Sequence, residues 1–173
     1  MVEDVTEVTI RPATPADAEQ IAAVHVASWR EAYRGVVPDE YLDGLDVAER
    51  AEQWRAELSS LERGHEVWVA QDEDGIVGFV DFGPSHDEDA DRTTVEIYKI
   101  YLVPHAWGRG VARDLMRKVF AEVSQGAAIT LWAFDTNDRA RHFYRRSGFT
   151  PDGVERLEEF GGEYIKELRF RRG

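Results

Sequence analysis

The stretch from Thr93 to Phe134 constrains the fold more than any other part of the chain. Thr93 to Val103 reads as a strand. Gly108 to Val123 sets Val111, Leu115 and Val119, with Met116, Phe120 and Val123, on one helical face, and Ala127 to Phe134 is an apolar run of strand length. Strand, helix, strand in that order requires a right-handed crossover between two parallel strands. The flanking segments require the opposite pairing. Glu66–Gln71 and Ile76–Phe82 are joined by Asp72-Glu73-Asp74-Gly75, and Arg156–Phe160 and Tyr164–Phe170 by Gly161-Gly162, so each pair is an antiparallel hairpin. A parallel crossover set among hairpins makes the fold a mixed α/β one.

The other segments complete the order. Val5 to Arg11 alternates as a strand. Thr14 is placed to cap a helix with Pro15 at its first position and Asp17 reaching back, and Ile21, Val24, His25, Ser28, Trp29 and Ala32 follow at helical spacing until Gly35 ends the run. Asp39–Leu45 is a short segment, Val47–Arg63 a polar helix and Gly83–Arg92 an acidic loop. Asn137–Ser147 is a helix closed by Gly148, and Gly148-Phe149 opens the next strand. The 173 residues in the order β α α α β β β α β α β β suit one domain, residues 1–173. No apolar run approaches the roughly 18 residues of a membrane span, and Met1–Thr6, with Glu3 and Asp4, lacks the basic and apolar regions of a signal peptide; a cytoplasmic protein away from membranes is expected. The absence of cysteine excludes a disulfide framework, a thiolate metal site and a cysteine nucleophile.

Pro104-His105-Ala106-Trp107-Gly108-Arg109-Gly110-Val111-Ala112 joins strand to helix in the crossover. Proline ends the ladder, the glycines allow a tight backbone turn, and the free amides and dipole of the helix start attract anions. The segment therefore reads either as a cradle for a pyrophosphate or as a plain turn with two glycines. A dinucleotide fingerprint would need a third glycine, and a P-loop would need Gly-Lys-Ser/Thr; the continuation Val111-Ala112-Arg113 supplies neither. Charge is divided along the chain. The net charge is −13, but Glu96–Pro151 carries nine Lys or Arg against five Asp or Glu, while the remainder carries twelve against twenty-nine. The acidic whole argues against a nucleic-acid partner.

Asn137-Asp138-Arg139-Ala140-Arg141-His142-Phe143-Tyr144-Arg145-Arg146-Ser147-Gly148-Phe149 carries a resemblance. Its pattern N-x-x-A-x-x-F-Y-x-x-x-G-F resembles the second cofactor motif of the GNAT superfamily of acetyl-CoA-dependent N-acetyltransferases. Ile100-Tyr101-Leu102-Val103-Pro104 and the glycine turn resemble the first motif, Q/R-x-x-G-x-G/A with its preceding strand. His105 departs from it, standing where Gln or Arg is usual. The similarity runs from Ile10 to Phe170, and Trp29–Pro38 resembles a large bacterial branch of uncertain substrate. The resemblance implies a mostly antiparallel sheet of about seven strands with helices on both faces.

It also implies acetyl-CoA as co-substrate, no metal, and direct attack by a primary amine through a tetrahedral intermediate. Tyr101, Leu102, Val103, His105, Trp107, Gly108, Arg109, Gly110, Val111 and Ala112, then Asn137, Ala140, Phe143 and Tyr144, would meet the cofactor, with the Leu102 amide aimed at the thioester carbonyl. Tyr144, a phenol that keeps its proton at neutral pH, is the implied acid for the leaving thiolate; its alternative role is packing beside Phe143. Glu96 is the candidate base, against a plain strand-edge glutamate, with Asp81, Asp135, Tyr98 and water as further choices. Trp29, Tyr33 and His86 are candidates for the acceptor pocket. The split charge fits a basic surface for CoA phosphates and an acidic one for a cationic amine or polyamine. A protein N-terminus or lysine as acceptor, a non-catalytic acyl-CoA-binding module, and a homodimer paired through sheet edges or the C-terminal strands stay open.

Overall fold

The computed structural model describes residues 7–173, so the first two residues of the expected opening strand and the N-terminal Met1–Thr6 lie outside the described residues. Seven strands form one sheet: β1 (Thr9–Pro12), β2 (Glu66–Asp72), β3 (Gly75–Pro84), β4 (Val95–Leu102), β5 (Ile129–Phe134), β6 (Thr150–Phe160) and β7 (Glu163–Arg172). Their spatial order is β1-β2-β3-β4-β5-β7-β6. All neighbours are antiparallel except β4 and β5, the pair that the crossover required. The helices are α1 (Ala18–Ala32), α2 (Asp39–Asp43), α3 (Val47–Leu58), α4 (Val111–Glu122) and α5 (Asp138–Arg146). The mixed seven-stranded sheet is the one expected. No helix among the described residues is long and apolar enough to cross a membrane.

The ends of several elements differ from the sequence reading. The turn Pro15–Asp17 is 3₁₀ rather than α; Asp17 does reach back, accepting from the Thr14 amide at 2.8 Å, and it also pairs with Arg11 at 2.9 Å. The polar helix stops at Leu58, five residues early, because Ser59 to Gly64 leaves the helical path. The crossover helix begins at Val111 rather than Gly108, since Gly108 and Gly110 both take positive φ (75° and 84°) and cannot continue it. The last hairpin is longer than its apolar cores suggested, because β6 starts at Thr150 and is largely exposed.

Two apolar layers sandwich the sheet. On one face α1 and α3 bury Ile21, Val24 and Trp54 against Val67, Val69 and Phe79. On the other, α4 places Val111, Leu115, Met116 and Val119 over Val80, Ile97 and Leu131, with Tyr144, Phe149 and Phe170 extending that core. Full burial of each such aliphatic side chain stabilises by about 1.5–3 kcal/mol before ordering costs.

Two irregularities in β4 position the site. Its pairing with β5 covers only Val95↔Ile129, Glu96↔Thr130 and Ile97↔Leu131, so the strands part beyond Ile97. Against β3 the register runs Asp81↔Lys99 and then Phe82↔Ile97, leaving Tyr98 as an extra residue. This bulge resets the alternation. Lys99 and Tyr101 face α1 and α3, Ile97 turns toward α4, and Glu96 returns to the side of Lys99 and Tyr101. Gly83 makes room for it, since a Cβ there would lie 2.9 Å from the Tyr98 hydroxyl and 3.2 Å from the His65 Cα.

Candidate active site

Where β4 and β5 part, the two faces of the sheet offer different surfaces. On the α4 face, the glycine turn leads into α4, whose N-terminal position is Gly110 and carries no capping side chain. The first-turn amides of a helix have no intrahelical acceptors, so they are available to an anion. Trp107 packs beside the turn: its indole donates to the Leu102 carbonyl at 3.3 Å, and the Arg139 guanidinium lies 3.2 Å from its ring centroid. That contact brings the crossover turn and α5 together. Asn137 caps α5, its side chain accepting from the Ala140 amide at 3.3 Å, and Ala140, Phe143 and Tyr144 face the same apolar layer as Val111.

The Leu102 backbone addresses the gap. Val103 donates to Val77 on β3 at 2.9 Å, and amides alternate along an antiparallel strand, so the Leu102 amide points away from β3 toward the side that β5 has left. Tyr101 stands apart from the residues with which the sequence groups it. Its backbone faces β3, and its ring stacks on His25 (5.1 Å, 29°) on the opposite face. His105 and Arg109 are exposed at the turn.

On the α1 face lies a cavity of about 330 Å³. Trp29, Tyr33, Tyr41, Tyr101, Phe134 and Phe160 form its aromatic wall, packed edge to face; Trp29–Tyr33 centroids are 4.8 Å apart and Tyr33–Phe134 4.7 Å. Such contacts fix each ring against its neighbours. Trp29 and Tyr33, two of the acceptor-pocket candidates, both line this cavity. The third, His86, does not. It is exposed, outside the cavity, because its loop folds over Tyr98, on which its ring stacks at 5.3 Å. Its amide approaches Glu96 Oε1 at 3.4 Å, so it touches the site through its backbone.

Glu96 lines the cavity with 9% of its surface exposed. Burial first, and then the charge of Asp87, raise its carboxyl pKa, against the Ser85 hydroxyl (3.2 Å) and the His86 amide. A carboxylate held with raised proton affinity at a cavity wall is equipped to accept a proton. The other base candidates are occupied elsewhere. Asp81 is fully buried between His65 and Lys99, with Glu57 near His65, and the bond to Asp81 raises the His65 pKa against the opposing effect of burial. Asp135 pairs with Arg141, and the Tyr98 hydroxyl donates to the Pro84 carbonyl.

Tyr144 is buried on the α4 side, its ring 5.6 Å from Phe143 and 5.9 Å from Phe170. Burial raises its pKa, with Tyr33 adding to the effect, so the phenol keeps its proton; the Tyr33 hydroxyl is pushed up to about 12 by burial and then by Glu167. After burial, Tyr33 and then Tyr144 raise the Tyr101 pKa, as Tyr33 does that of Tyr144, so the Tyr144 phenol lies near two that line the cavity.

Several cavity residues escaped the sequence reading. Glu167 on β7 is 9% exposed, its pKa raised by burial, and it accepts from Arg156 at 3.3 Å. Arg156 stacks over Trp132 at 4.1 Å. Arg50 and Lys99 line the cavity from α3 and β4. His25 is buried and its pKa lowered to about 3, by burial and then by Arg50 and Lys99, so the ring is neutral. The only signal for Glu167 is its place between Ile165 and Arg169 on one face of β7, a polar residue among partly covered ones.

Comparison with known proteins adds the following. The Acetyltransferase (GNAT) domain family model matches residues 63–151. YuaI of Bacillus subtilis (strain 168), an uncharacterized N-acetyltransferase, is 34% identical over 165 residues, 93% of this chain and 90% of its own. Rv2775 of Mycobacterium tuberculosis (strain ATCC 25618 / H37Rv), a probable N-acetyltransferase, is 29% identical over 86% of this chain and 83% of its own. Among solved structures, PaiA N-acetyltransferase of Thermoplasma acidophilum in complex with coenzyme A superposes with a TM-score of 0.69, at 18% identity over 93% of this chain and 98% of that one. YncA of Salmonella typhimurium, a putative acetyltransferase solved with its cofactor acetyl-CoA, gives 0.67 at 21% identity over 95% and 92%. At those identities the likeness to solved structures is one of fold.

Proposed function

The chain belongs to the GNAT family of acetyl-CoA-dependent N-acetyltransferases, and from that premise we propose that its acceptor is a small primary amine held in the aromatic cavity, with Glu96 as base and Tyr144 as acid. The observation that carries the proposal is the parting of β4 and β5 beyond Ile97, which leaves a gap with an uncapped glycine turn on one face and a carboxylate-lined cavity on the other. Bound acetyl-CoA supplies an acetyl group activated as a thioester. The residues present fit it. Gly108 and Gly110 adopt the sharp turn that presents the backbone of Trp107–Ala112, and a Cβ at Gly108 would meet nothing within 4 Å, so the approach to that turn is open. Asn137, Ala140 and Phe143 on α5 and the Leu102–Val103 backbone border the same side, with Arg109 and His105 at its exposed mouth.

The chain's own groups divide the work. The Leu102 amide, free of β3, donates toward the carbonyl undergoing attack, a contribution worth about 3 kcal/mol when such a donor is aimed at developing negative charge. Glu96 takes a proton from the incoming ammonium or amine, directly or through water, which its raised pKa favours. Tyr144 holds its proton at neutral pH and returns one to the leaving sulfur. Trp29, Tyr33 and Phe134 exclude water from the apolar part of the acceptor. The enclosing aromatic wall favours a small molecule over a protein segment, and pairing of two copies through the exposed β6–β7 hairpin, where Leu157 is 64% and Tyr164 70% exposed, would leave the cavity's rings in place.

The test is a panel of primary amines, polyamines and peptides scored for release of free CoA, alongside calorimetry with acetyl-CoA. Binding of acetyl-CoA with turnover on small amines is the expected result. Turnover on peptides alone, or a Glu96→Gln variant as active as the parent, would overturn the assignment.

A further inference from the structure

The cavity is electrically two-ended. Three carboxylates, Glu96, Glu158 and Glu167, line one end, and a single guanidinium, Arg156, serves them, at 3.3 Å from Glu167 and 3.4 Å from Glu158. The balance there is negative. Arg50 and Lys99 line the other end. Both act on His25, which sets the two cations around one buried ring, whereas Arg156, Glu158 and Glu96 act on Glu167; with Tyr98 bulged out, Lys99 and Glu96 stand two rungs of the β3–β4 ladder apart, about 7 Å. Lys99 is balanced by Asp81, at 3.4 Å. Arg50, half-buried, makes no ion pair and no side-chain hydrogen bond among the described residues. A guanidinium facing a partly enclosed cavity without a protein partner is a group awaiting an anion, and its fork matches a carboxylate in particular.

Resting on the reading of this cavity as the acceptor site, we propose that the acceptor is an amino acid-like molecule whose amine lies at the Glu96 and Glu167 end and whose carboxylate is bound by Arg50. Trp29, Tyr101 and Phe134, between the two ends, suit the hydrocarbon that connects the two groups. The polar ends explain the composition of the wall. An acceptor that was only a cation would use the carboxylates and leave Arg50 facing its own hydrocarbon, and a polyamine would set its second ammonium against Arg50. The overall acidity of the chain, −13, therefore describes its surface and does not decide the acceptor. Arg50 acts as a specificity residue, distant from the reacting atoms.

The experiment compares matched acceptors that differ by one carboxylate, namely α-amino acids with their decarboxylated amines and ω-amino acids with simple alkylamines, with spermidine included, by kcat/KM from free thiol release. The carboxylate-bearing member of the best pair is expected to exceed its partner by about tenfold or more. In Arg50→Gln that ratio shrinks toward one, through a rise in KM for the amino acid rather than a fall in kcat, and Arg50→Lys recovers part of it. Amines that equal or exceed their carboxylate-bearing partners in the parent enzyme would overturn this inference while leaving the acceptor site itself intact. Calorimetric binding of acetyl-CoA with no turnover on any amine would overturn the reading of the cavity as well.

Discussion

The glycine turn and the aromatic cavity border the same strand from opposite faces and are built by opposite means. The turn is made of consecutive residues, and its main instrument is backbone: amides at the start of α4, a free amide at Leu102, and glycines whose positive φ permits the bend. The cavity is made of side chains from α1, α2, α3, β4, β5, β6 and β7, more than a hundred residues apart at the extremes, and its instrument is burial. A diphosphate is the same in every reaction that uses CoA, so a local backbone device would suffice to hold it. An acceptor varies, and side chains delivered by several elements can vary with it without disturbing the fold.

That contrast can be broken most directly at Glu96. Glu96→Gln removes the proposed base from the cavity and is expected to lower kcat by about a hundredfold or more, with acetyl-CoA affinity by calorimetry unchanged. The pH profile carries the same information. The ionised carboxylate is the active form and its pKa is raised by burial and Asp87, so kcat/KM should fall as pH drops through a limb displaced above the usual carboxylate range. The variant's profile should lose that one-proton dependence.

The reverse experiment strikes the turn. Gly110→Val forces a β-branched residue to φ 84°, a conformation costing about 1–3 kcal/mol, and acetyl-CoA should bind roughly tenfold more weakly while preferences among amines persist. Unchanged affinity would show that the turn is not the anion cradle. Tyr144→Phe comes next, with kcat lower by about tenfold and acetyl-CoA affinity retained. If the tyrosine only packs between Phe143, Phe149 and Phe170, the variant will instead keep its kcat and melt at an altered temperature. The smallest effect belongs to Arg109→Ala at the exposed mouth, a two- to fivefold rise in the KM for acetyl-CoA that fades in high salt, as screened surface charge must (about 1 kcal/mol or less).

How much of this was readable from the residues follows the same division. The crossover was legible because period-two and period-3.6 patterns succeed one another without ambiguity from Thr93 to Phe134, and both hairpins because their turns are short. Glu96 was legible only as a candidate. Plain alternation along β4 would put Ile97, not Glu96, beside Tyr101, and it takes the bulge at Tyr98 to reverse that. His86 was misplaced because a loop of Gly, Pro, Ser and acidic residues has no periodicity to fix its direction; its path is set by contacts far along the chain, where the largely buried Arg169 on β7 holds Asp87 and Asp89. Glu167 and Arg50 gave almost no local signal, since each is one charged residue on an element full of them.

The sequence by itself determined the elements, their pairing senses and the glycine turn before α4, because these depend on neighbours along the chain and on which backbone angles a residue tolerates. Tertiary structure alone decided which carboxylates and phenols face the cavity, and that Arg50, without an ion pair among the described residues, lines it with them. Those outcomes depend on register, on a single inserted residue in β4 and on the parting of β4 from β5, and a change of one position in any of them turns a side chain to the other face.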